Sequence, residues 1–237
     1  MPEKNFQSTN ASKIRIITQV LTTALKLWLR SQVSEVSQLE VEIKASDRQI
    51  LSGRIPSVSI FATNAVYQGL LVTQIQIVAE NIRVNIGSIL KGQPLRLLEI
   101  VPVVGDLIVD EKDLNSSLSS DLLSSAFNDV LVKLLPEYSP ESQPINWQKI
   151  LLENNQIILR GIQLPNTQAT PLEVCVGLEL VDTQVLQLTH IYTQHGQGAL
   201  LEGNGGYNLD LGSDVSIREL TLTPGKLVCH GRINVNP

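Results

Sequence analysis

The segment LEVEIKASDRQILSGRI, residues 39–55, contains the pattern that decides the fold of this chain. Leu39, Val41 and Ile43 alternate with charged residues, and a period of two is typical of a β-strand with one apolar face. A polar turn then reverses the chain into a second arm, so the segment is predicted to form a β-hairpin. Pro56 follows directly and indicates a bend or an edge strand.

Similar alternation returns along most of the chain. It recurs in the segments 70–80, 82–86, 94–109, 149–164, 172–181, 185–191, 207–211, 215–222 and 226–235. Such regular alternation is typical of antiparallel sheet with one face on a core. The part after residue 145 has no helical stripe, so its sheet must close over elements from the first part. The sequence therefore predicts an α+β fold, mostly β in its C-terminal half, with a long, strongly curved antiparallel sheet wrapped around one or two amphipathic helices.

Three short segments share a glycine among aliphatic residues: LSGRI at 51–55, LRGIQ at 159–163 and CHGRI at 229–233. Glycine inside a strand usually marks a bulge, a bend or a close backbone approach. A weak internal repeat with bends at equivalent positions is one interpretation. Coincidence is the other, because glycine with aliphatic neighbours is a common pattern.

Two amphipathic helices are predicted in the first part of the chain. Residues 14–30 repeat apolar side chains every three or four positions, at Ile14, Ile17, Leu21, Ala24 and Trp28. The second helix begins with a cap and an acidic first turn at 110–113 and ends before Pro136, with a serine-rich outer face. Its stripe consists of Leu114, Leu118, Leu122, Phe127, Val130, Leu131 and Leu134.

The domain organisation is predicted to be simple. Residues 1–11 show no periodicity and are expected to form a flexible tail, followed by a single domain at 12–237. Three prolines mark a surface connection near 136–146.

Composition excludes several classes of protein. Leu, Ile and Val make up 80 of 237 residues, which is incompatible with disorder. A net charge of −5 and only nine aromatic residues argue against nucleic-acid binding. Cys175 and Cys229 are too few for a disulfide framework or a four-cysteine zinc site. Residues 14–30 lack the unbroken apolar run of a signal peptide or a membrane span, so we expect a cytoplasmic protein or one peripheral to the cytoplasmic face of a membrane.

No catalytic or metal-binding motif is present in the sequence. His190, His195 and His230 lack ligand spacing, and no nucleophile elbow or phosphate loop is found. Cys229 and His230 are adjacent on a predicted strand and point to opposite faces, so they cannot act as a nucleophile and its base. The glycine-rich segment 203–206 is predicted to be a hairpin turn. We therefore predict a non-enzymatic protein without metal or cofactor.

Three stretches resemble a known family: ILSGRIPSVSIFATNAVYQGLLVTQIQI (50–77), NIRVNIGSILKGQPLRLLEIVPVVGDLIV (81–109) and DEKDLNSSL (110–118). They are similar to the LmeA-like phospholipid-binding family, and specifically to its cyanobacterial branch. The resemblance is strongest at 65–70, 90–97 and 113–115. It implies a tubular lipid-binding (TULIP-like) fold, a phospholipid partner and no catalytic residues.

The leading hypothesis is a phospholipid-binding protein, with lipid transfer or membrane association as its setting. An aliphatic interior would hold acyl chains, while Arg83, Lys91 and Arg96 are candidates for contact with the headgroup. Candidates for peripheral membrane contact on the first helix are Trp28, Lys26 and Arg30. The alternative is a non-enzymatic interaction module with a filled core that docks a partner through this helix or a sheet edge. An enzyme acting on a lipid or glycan is a third hypothesis, and it requires titratable groups that converge at the cavity mouth.

Overall fold

The computed structural model describes residues 8–89, 92–94, 96–134, 138–139, 141, 144–164, 170–195, 198–203 and 206–237. The helices are α1 Ser8–Gln32, α2 Asp47–Leu51, α3 Ile86–Ile89, α4 Glu111–Ser116 and α5 Asp121–Leu134. The strands are β1 Gln38–Lys44, β2 Arg54–Tyr67, β3 Leu70–Arg83, β4 Val101–Asp110, β5 Ile145–Glu153, β6 Gln156–Gln163, β7 Thr170–Asp182, β8 Val185–His195, β9 Gly198–Gly203, β10 Tyr207–Asp210, β11 Val215–Thr223 and β12 Lys226–Val235.

The strands form two antiparallel sheets. The first sheet has the order β1-β2-β3-β4-β12-β11, and the second has the order β10-β8-β7-β6-β5 with β9 also on β8. The α+β class and the mostly β second half are confirmed. The single long sheet of the prediction is instead divided in two, because the last two strands return to pair beside β4.

Each sheet packs on an apolar core, and the core under the second sheet also includes Leu222 of β11 from the first sheet. α1 and α2 pack on the first sheet through Leu21, Leu25 and Ile50, against buried residues such as Val58 and Val103. α5 packs on the second sheet through Leu123, Phe127, Val130 and Leu131, where the Phe127 and Trp147 rings meet edge to face at 5.4 Å. Amphipathic helices therefore cover one face of each sheet.

The inward face of α1 differs from the predicted stripe. Leu21 is buried, but Ala24 and Trp28 are exposed, while Leu25 packs on the core and Leu29 is half-buried. The side chains of Ile14 and Ile17 lie outside the described part of the chain. The prediction was wrong because α1 is apolar over more than half of its circumference, so the packing rather than the periodicity selects the buried side.

Two shorter helices replace the single second helix of the prediction. Ser120 accepts a hydrogen bond from the Leu123 amide at 3.3 Å and starts α5, after α4 has ended at Ser116. Ser117 Oγ donates to the Asp113 carbonyl at 2.7 Å and accepts from the Leu71 amide at 2.8 Å. Ser117 and Ser120 are thus buried in the turn between α4 and α5 rather than exposed on an outer face.

Side chains of α4 join the two sheets. Asp113 accepts a hydrogen bond from Thr73 on β3, and Asn115 binds both backbone groups of Ile150 on β5. Glu111 accepts from the Leu152 amide at 2.8 Å. These bonds satisfy the free edge of β5 and place the second sheet against the first.

Glycine predictions were confirmed in two of three cases. Gly161 and Gly231 lie inside strands, each beside a register shift in the partner strand. Gly53 lies in the turn before β2, where its φ of +74° and a contact of 2.6 Å from a hypothetical Cβ to the Val84 carbonyl oxygen require glycine. Pro56 lies on β2 just beyond the last partner that β1 supplies, so β2 is locally an edge there.

Three predicted segment boundaries were wrong. The strand predicted at 94–109 begins at Val101, because the Asn85 side chain rather than a neighbouring strand binds the backbone of Pro94 and Arg96. The strands flanking 203–206 both pair with β8 and not with each other, which contradicts a hairpin turn, although Asn204 and Gly205 lie outside the described residues. α1 begins at Ser8, inside the predicted tail, because its first turns carry no apolar stripe to reveal them.

The predicted connection near 136–146 is described only at 138–139, 141 and 144–146, and its last two residues already belong to β5. Tyr138 is buried there in the core of the second sheet and donates its hydroxyl hydrogen to Asn128 Oδ1 at 3.1 Å. Burial also raises the pKa of the Tyr138 phenol. The connection is therefore anchored on α5 at this residue.

Candidate lipid-binding groove

Two glycines face each other in the middle of the first sheet. Gly105 on β4 pairs directly with Gly231 on β12, and Ile77 and Ile217 flank the pair on the neighbouring strands. Residues paired in this way point to the same face of a sheet. The row across four strands therefore has large aliphatic side chains at its two ends and none in the middle.

The missing side chains leave an apolar groove of about 250 Å³ on this face. Its walls come from two further rows of the same face, and its apolar lining residues are Ile75, Ile77, Val103, Leu107, Val215, Ile217, Cys229 and Ile233. Gly105, Asp106, Ser216, Gly231 and Arg232 complete the lining. Val103 is buried, while Ile233 is exposed on the rim. The groove is thus open on one side, and its surface is mostly apolar.

Close backbone packing requires glycine at both positions. A Cβ on Gly231 would lie 2.8 Å from the Ser216 carbonyl oxygen, and one on Gly105 would collide with the carbonyl oxygen of Gln76. Neither residue can be replaced by alanine without a shift of the backbone. The depression is therefore set by the backbone of the sheet.

Polar groups lie on the opposite face of the same strands. His230 Nδ1 is 2.8 Å from Asp106 Oδ1, and the Arg232 guanidinium donates to Asn234. Cys229 lines the groove, and burial, with a smaller contribution from Asp106, raises the pKa of its thiol. As the sequence predicted, the alternation of side chains along β12 separates Cys229 from His230.

The predicted headgroup residues lie at one end of the first sheet and do not line the groove. Arg83 forms an ion pair with Glu99 at 2.8 Å. Arg96 is exposed, its backbone is held by Asn85, and its guanidinium has no hydrogen-bond or ion-pair partner among the described residues. Lys91 lies outside the described residues. The structure brings Arg83 and Arg96 near each other, since the Leu98 amide donates to the Arg83 carbonyl.

The predicted membrane-contact residues occupy two different sides of α1. Trp28 is exposed and lies beside Val20, Ala24 and Leu27, all of which are also exposed. Lys26 and Arg30 share a polar side with Gln19 and Thr23. α1 therefore has three sides along its axis: a buried one on the sheet, an exposed apolar one and a polar one that carries two cations.

Comparison with known sequences assigns the chain to a family. The sequence profile named LmeA-like phospholipid-binding matches residues 13–232, which is nearly the whole chain. The chain belongs to this family. No significant match was found among curated proteins, and none among solved structures.

The LmeA-like family is a lipid-binding family rather than a catalytic one, which supports a lipid as the partner. No helix in the described ranges is long and apolar enough to cross a bilayer. In the same ranges, no three His, Cys, Asp or Glu residues are grouped closely enough to hold a metal ion.

Two of the segments that carried the family resemblance are structural joints. At 65–70, Gly69 has a φ of +79°, and a Cβ there would lie 2.8 Å from Ser120 Cβ. At 113–115, Asp113 and Asn115 connect α4 to both sheets. Of the third segment, 90–97, residues 90, 91 and 95 lie outside the described part. At 65–70 and 113–115, the residues that carried the resemblance therefore lie where elements pack against or bond to each other.

A second depression of about 400 Å³ lies between the α4–α5 junction and the start of β5. It is mostly polar, with Asn115, Ser116, Ser119, Ser124 and Asn146 among its lining residues. Such a lining gives an acyl chain little apolar surface to cover.

Sequence reasoning missed Gly105, the central residue of the groove. The signal was present, because PVVGDLIV at 102–109 carries a glycine in the middle of an alternating run. What could not be read was the pairing of Gly105 with Gly231, which are more than one hundred residues apart in the chain.

Proposed function

We propose that this protein binds a phospholipid by covering part of an acyl chain in the groove over Gly105 and Gly231. The observation that carries the proposal is an open groove with aliphatic walls in a member of a phospholipid-binding family. Each methylene transferred from water into such a site contributes about 0.8 kcal/mol. A few methylenes of an acyl chain therefore suffice for measurable affinity.

The size of the groove limits what it holds. Its volume of about 250 Å³ lies just below the range of ~300–1,000 Å³ that is common for small-molecule sites. We infer that it takes one stretch of one chain and leaves the headgroup outside. Arg96 and Lys91 are the proposed phosphate contacts. Arg83 becomes a third contact when its ion pair with Glu99 is replaced by one with a lipid phosphate.

The open side suits exchange of lipid with a membrane. A chain in a closed cavity must wait for the protein to open, whereas Ile233 on the rim is already exposed. We therefore propose that the protein also transfers phospholipid between membranes, with the exposed apolar side of α1 as its peripheral contact. Fluorescent phospholipid that moves from donor to acceptor vesicles faster with the protein than without it is the expected result.

A charge placed on the rim tests the groove. Ile233→Glu puts a carboxylate where the chain must enter, and we expect uptake of monomeric short-chain phosphatidylcholine to weaken about tenfold, the equivalent of ~1.4 kcal/mol. Native mass spectrometry of the protein after incubation with the lipid measures this uptake. Because Ile233 is exposed, the fold should tolerate the change.

Val181→Glu is the matched control, since Val181 is an exposed apolar residue of the second sheet. It should take up lipid as the unmodified protein does. Equal uptake by the Ile233→Glu variant, or an unmodified protein that binds no phospholipid, would refute the proposed site.

A further inference from the structure

Three large aliphatic side chains stand exposed at one end of the first sheet. Leu51 at the end of α2 is 57% exposed, and Leu98 and Ile100 before β4 are each 58% exposed. We call this end, residues 47–54, 83–89, 92–94 and 96–100, the apolar tip. Isolated exposed leucines are ordinary, but these three lie in two neighbouring segments that are joined by a hydrogen bond from the Val84 amide to the Gly53 carbonyl.

Hydrogen bonds hold the apolar tip in place. The Val84 amide donates to the Gly53 carbonyl at 2.9 Å, and Val84 also pairs with Leu97. Asn85 adds two bonds, accepting from the Arg96 amide at 2.8 Å and donating to the Pro94 carbonyl at 3.0 Å. Backbone of the tip therefore extends the sheet, so its aliphatic side chains are presented on a fixed support.

The apolar tip is positively charged in a negatively charged protein. Its described residues contain four basic and two acidic ones, a net charge of +2, whereas the whole chain has a net charge of −5. The basic residues are Arg48, Arg54, Arg83 and Arg96, and the acidic ones are Asp47 and Glu99. Glu99 is already paired with Arg83. Aliphatic side chains surrounded by cations complement an anionic lipid surface.

The groove begins at the same end of the sheet. Val103 in its wall is three residues from Ile100, about 10 Å along an extended strand. Ile233 on its rim pairs with Val103. A surface that contacts the tip is therefore within the length of an acyl chain from the groove.

We propose that the apolar tip inserts Leu51, Leu98 and Ile100 into the surface of an anionic phospholipid bilayer, with Arg48 and Arg96 on the lipid phosphates. This inference rests on the proposed function for the identity of the partner and adds the surface through which the protein meets the bilayer. This surface is distinct from the exposed apolar side of α1. Leu21 of α1 packs in the same core as Val84 of the tip, whereas Trp28 lies seven residues further along the helix.

Co-sedimentation with vesicles tests the tip directly. The double variant Leu98→Ser/Ile100→Ser should bind vesicles of equal parts phosphatidylcholine and phosphatidylglycerol about tenfold more weakly, because two aliphatic side chains no longer enter the bilayer. Leu164→Ser/Val181→Ser is the matched control, since these two side chains are 48% and 59% exposed on or beside the second sheet. It should bind as the unmodified protein does.

A charge variant separates the two parts of the contact. Arg48→Gln/Arg96→Gln should weaken binding to the phosphatidylglycerol vesicles and reduce its dependence on salt. It should leave the weaker binding to pure phosphatidylcholine unchanged. Binding of this variant equal to that of the unmodified protein would show that Arg48 and Arg96 do not contact the lipid phosphates.

Lipid uptake distinguishes failure of the tip from failure of the groove. Leu98→Ser/Ile100→Ser should still take up monomeric short-chain phosphatidylcholine in native mass spectrometry, because the groove is unchanged. Unmodified protein that takes up lipid but binds neither kind of vesicle would overturn the tip as a membrane surface. Loss of vesicle binding by the control double variant to the same extent would overturn it as well.

Discussion

Asn115 uses its whole side-chain amide to bind the neighbouring sheet. Its Oδ1 accepts from the Ile150 amide at 2.9 Å, and its Nδ2 donates to the Ile150 carbonyl at 2.8 Å and to the Glu111 carbonyl at 2.7 Å. A side chain thus takes the place of a strand beside β5, whose backbone would otherwise lack partners on that edge. One residue of α4 therefore carries much of the junction between the sheets.

Removal of this amide should destabilise the whole protein. Asn115→Ala leaves two backbone groups of buried Ile150 without partners, and each unsatisfied group costs about 1–3 kcal/mol. We expect a loss of that order in the free energy of unfolding, measured by urea titration. Ser116→Ala on the exposed side of α4 is the control and should change it by less than about 0.5 kcal/mol. Equal effects of the two substitutions would show that Asn115 does not hold the junction.

At the scale of elements, α1 combines a structural side with an exposed apolar side. Leu25 packs on the core of the first sheet, whereas Trp28, three residues later, points to solvent. The polar side, with Lys26 and Arg30, occupies the remaining part of the helix circumference. This three-sided division is the one expected of a helix that lies between a protein core, a lipid surface and water.

Two substitutions on α1 should affect different properties, one the free energy of unfolding and the other vesicle binding. Leu25→Ala should lower the free energy of unfolding by about 2 kcal/mol, because it empties part of a core, and leave vesicle binding unchanged. Trp28→Ala should change stability by less than about 0.5 kcal/mol and weaken vesicle co-sedimentation. Vesicle binding of the Trp28→Ala variant equal to that of the unmodified protein would leave the apolar tip as the membrane contact and refute the one on α1.

At the scale of the whole molecule, the sequence predicted what is local and missed what is distant. Period-two alternation located most strands, because one face of each strand packs on a core. The division into two sheets depends on β12 returning to β4, a pairing that no local pattern encodes. Likewise, Gly231 was recognised as a bend, but the groove exists only because Gly105 lies opposite.

The kind of ligand was predicted, whereas the predicted site residues stay predictions. The aliphatic composition indicated a lipid, and the family assignment supports it. The chosen cations, however, lie at the end of the sheet rather than on the groove, since a sequence shows which residues are basic but not which strand face they occupy. The cyanobacterial branch and the TULIP-like fold stay predictions.

Each sheet carries one half-buried cysteine, so the unfolding of each sheet can be followed separately through the reactivity of its thiol. Cys229 lies on β12 and Cys175 on β7. Burial raises the pKa of both thiols, with smaller contributions from Asp106 and Glu173. Because the thiolate is the reactive form, native protein should be alkylated slowly at neutral pH and faster as the pH rises past the ordinary thiol value of about 8.5.

Pulsed alkylation in increasing urea should expose both cysteines at the same urea concentration. The two sheets share backbone bonds, from the Asn155 amide to the Leu222 carbonyl at 3.2 Å and from the Gly225 amide to the Leu152 carbonyl at 3.0 Å, in addition to the α4 junction. Opening one sheet therefore removes partners of the other, which makes unfolding cooperative. Fully unfolded protein, in which both thiols react freely, sets the reference rate. A lower midpoint for Cys175 than for Cys229 would divide the chain into two unfolding units, contrary to the single domain predicted at 12–237.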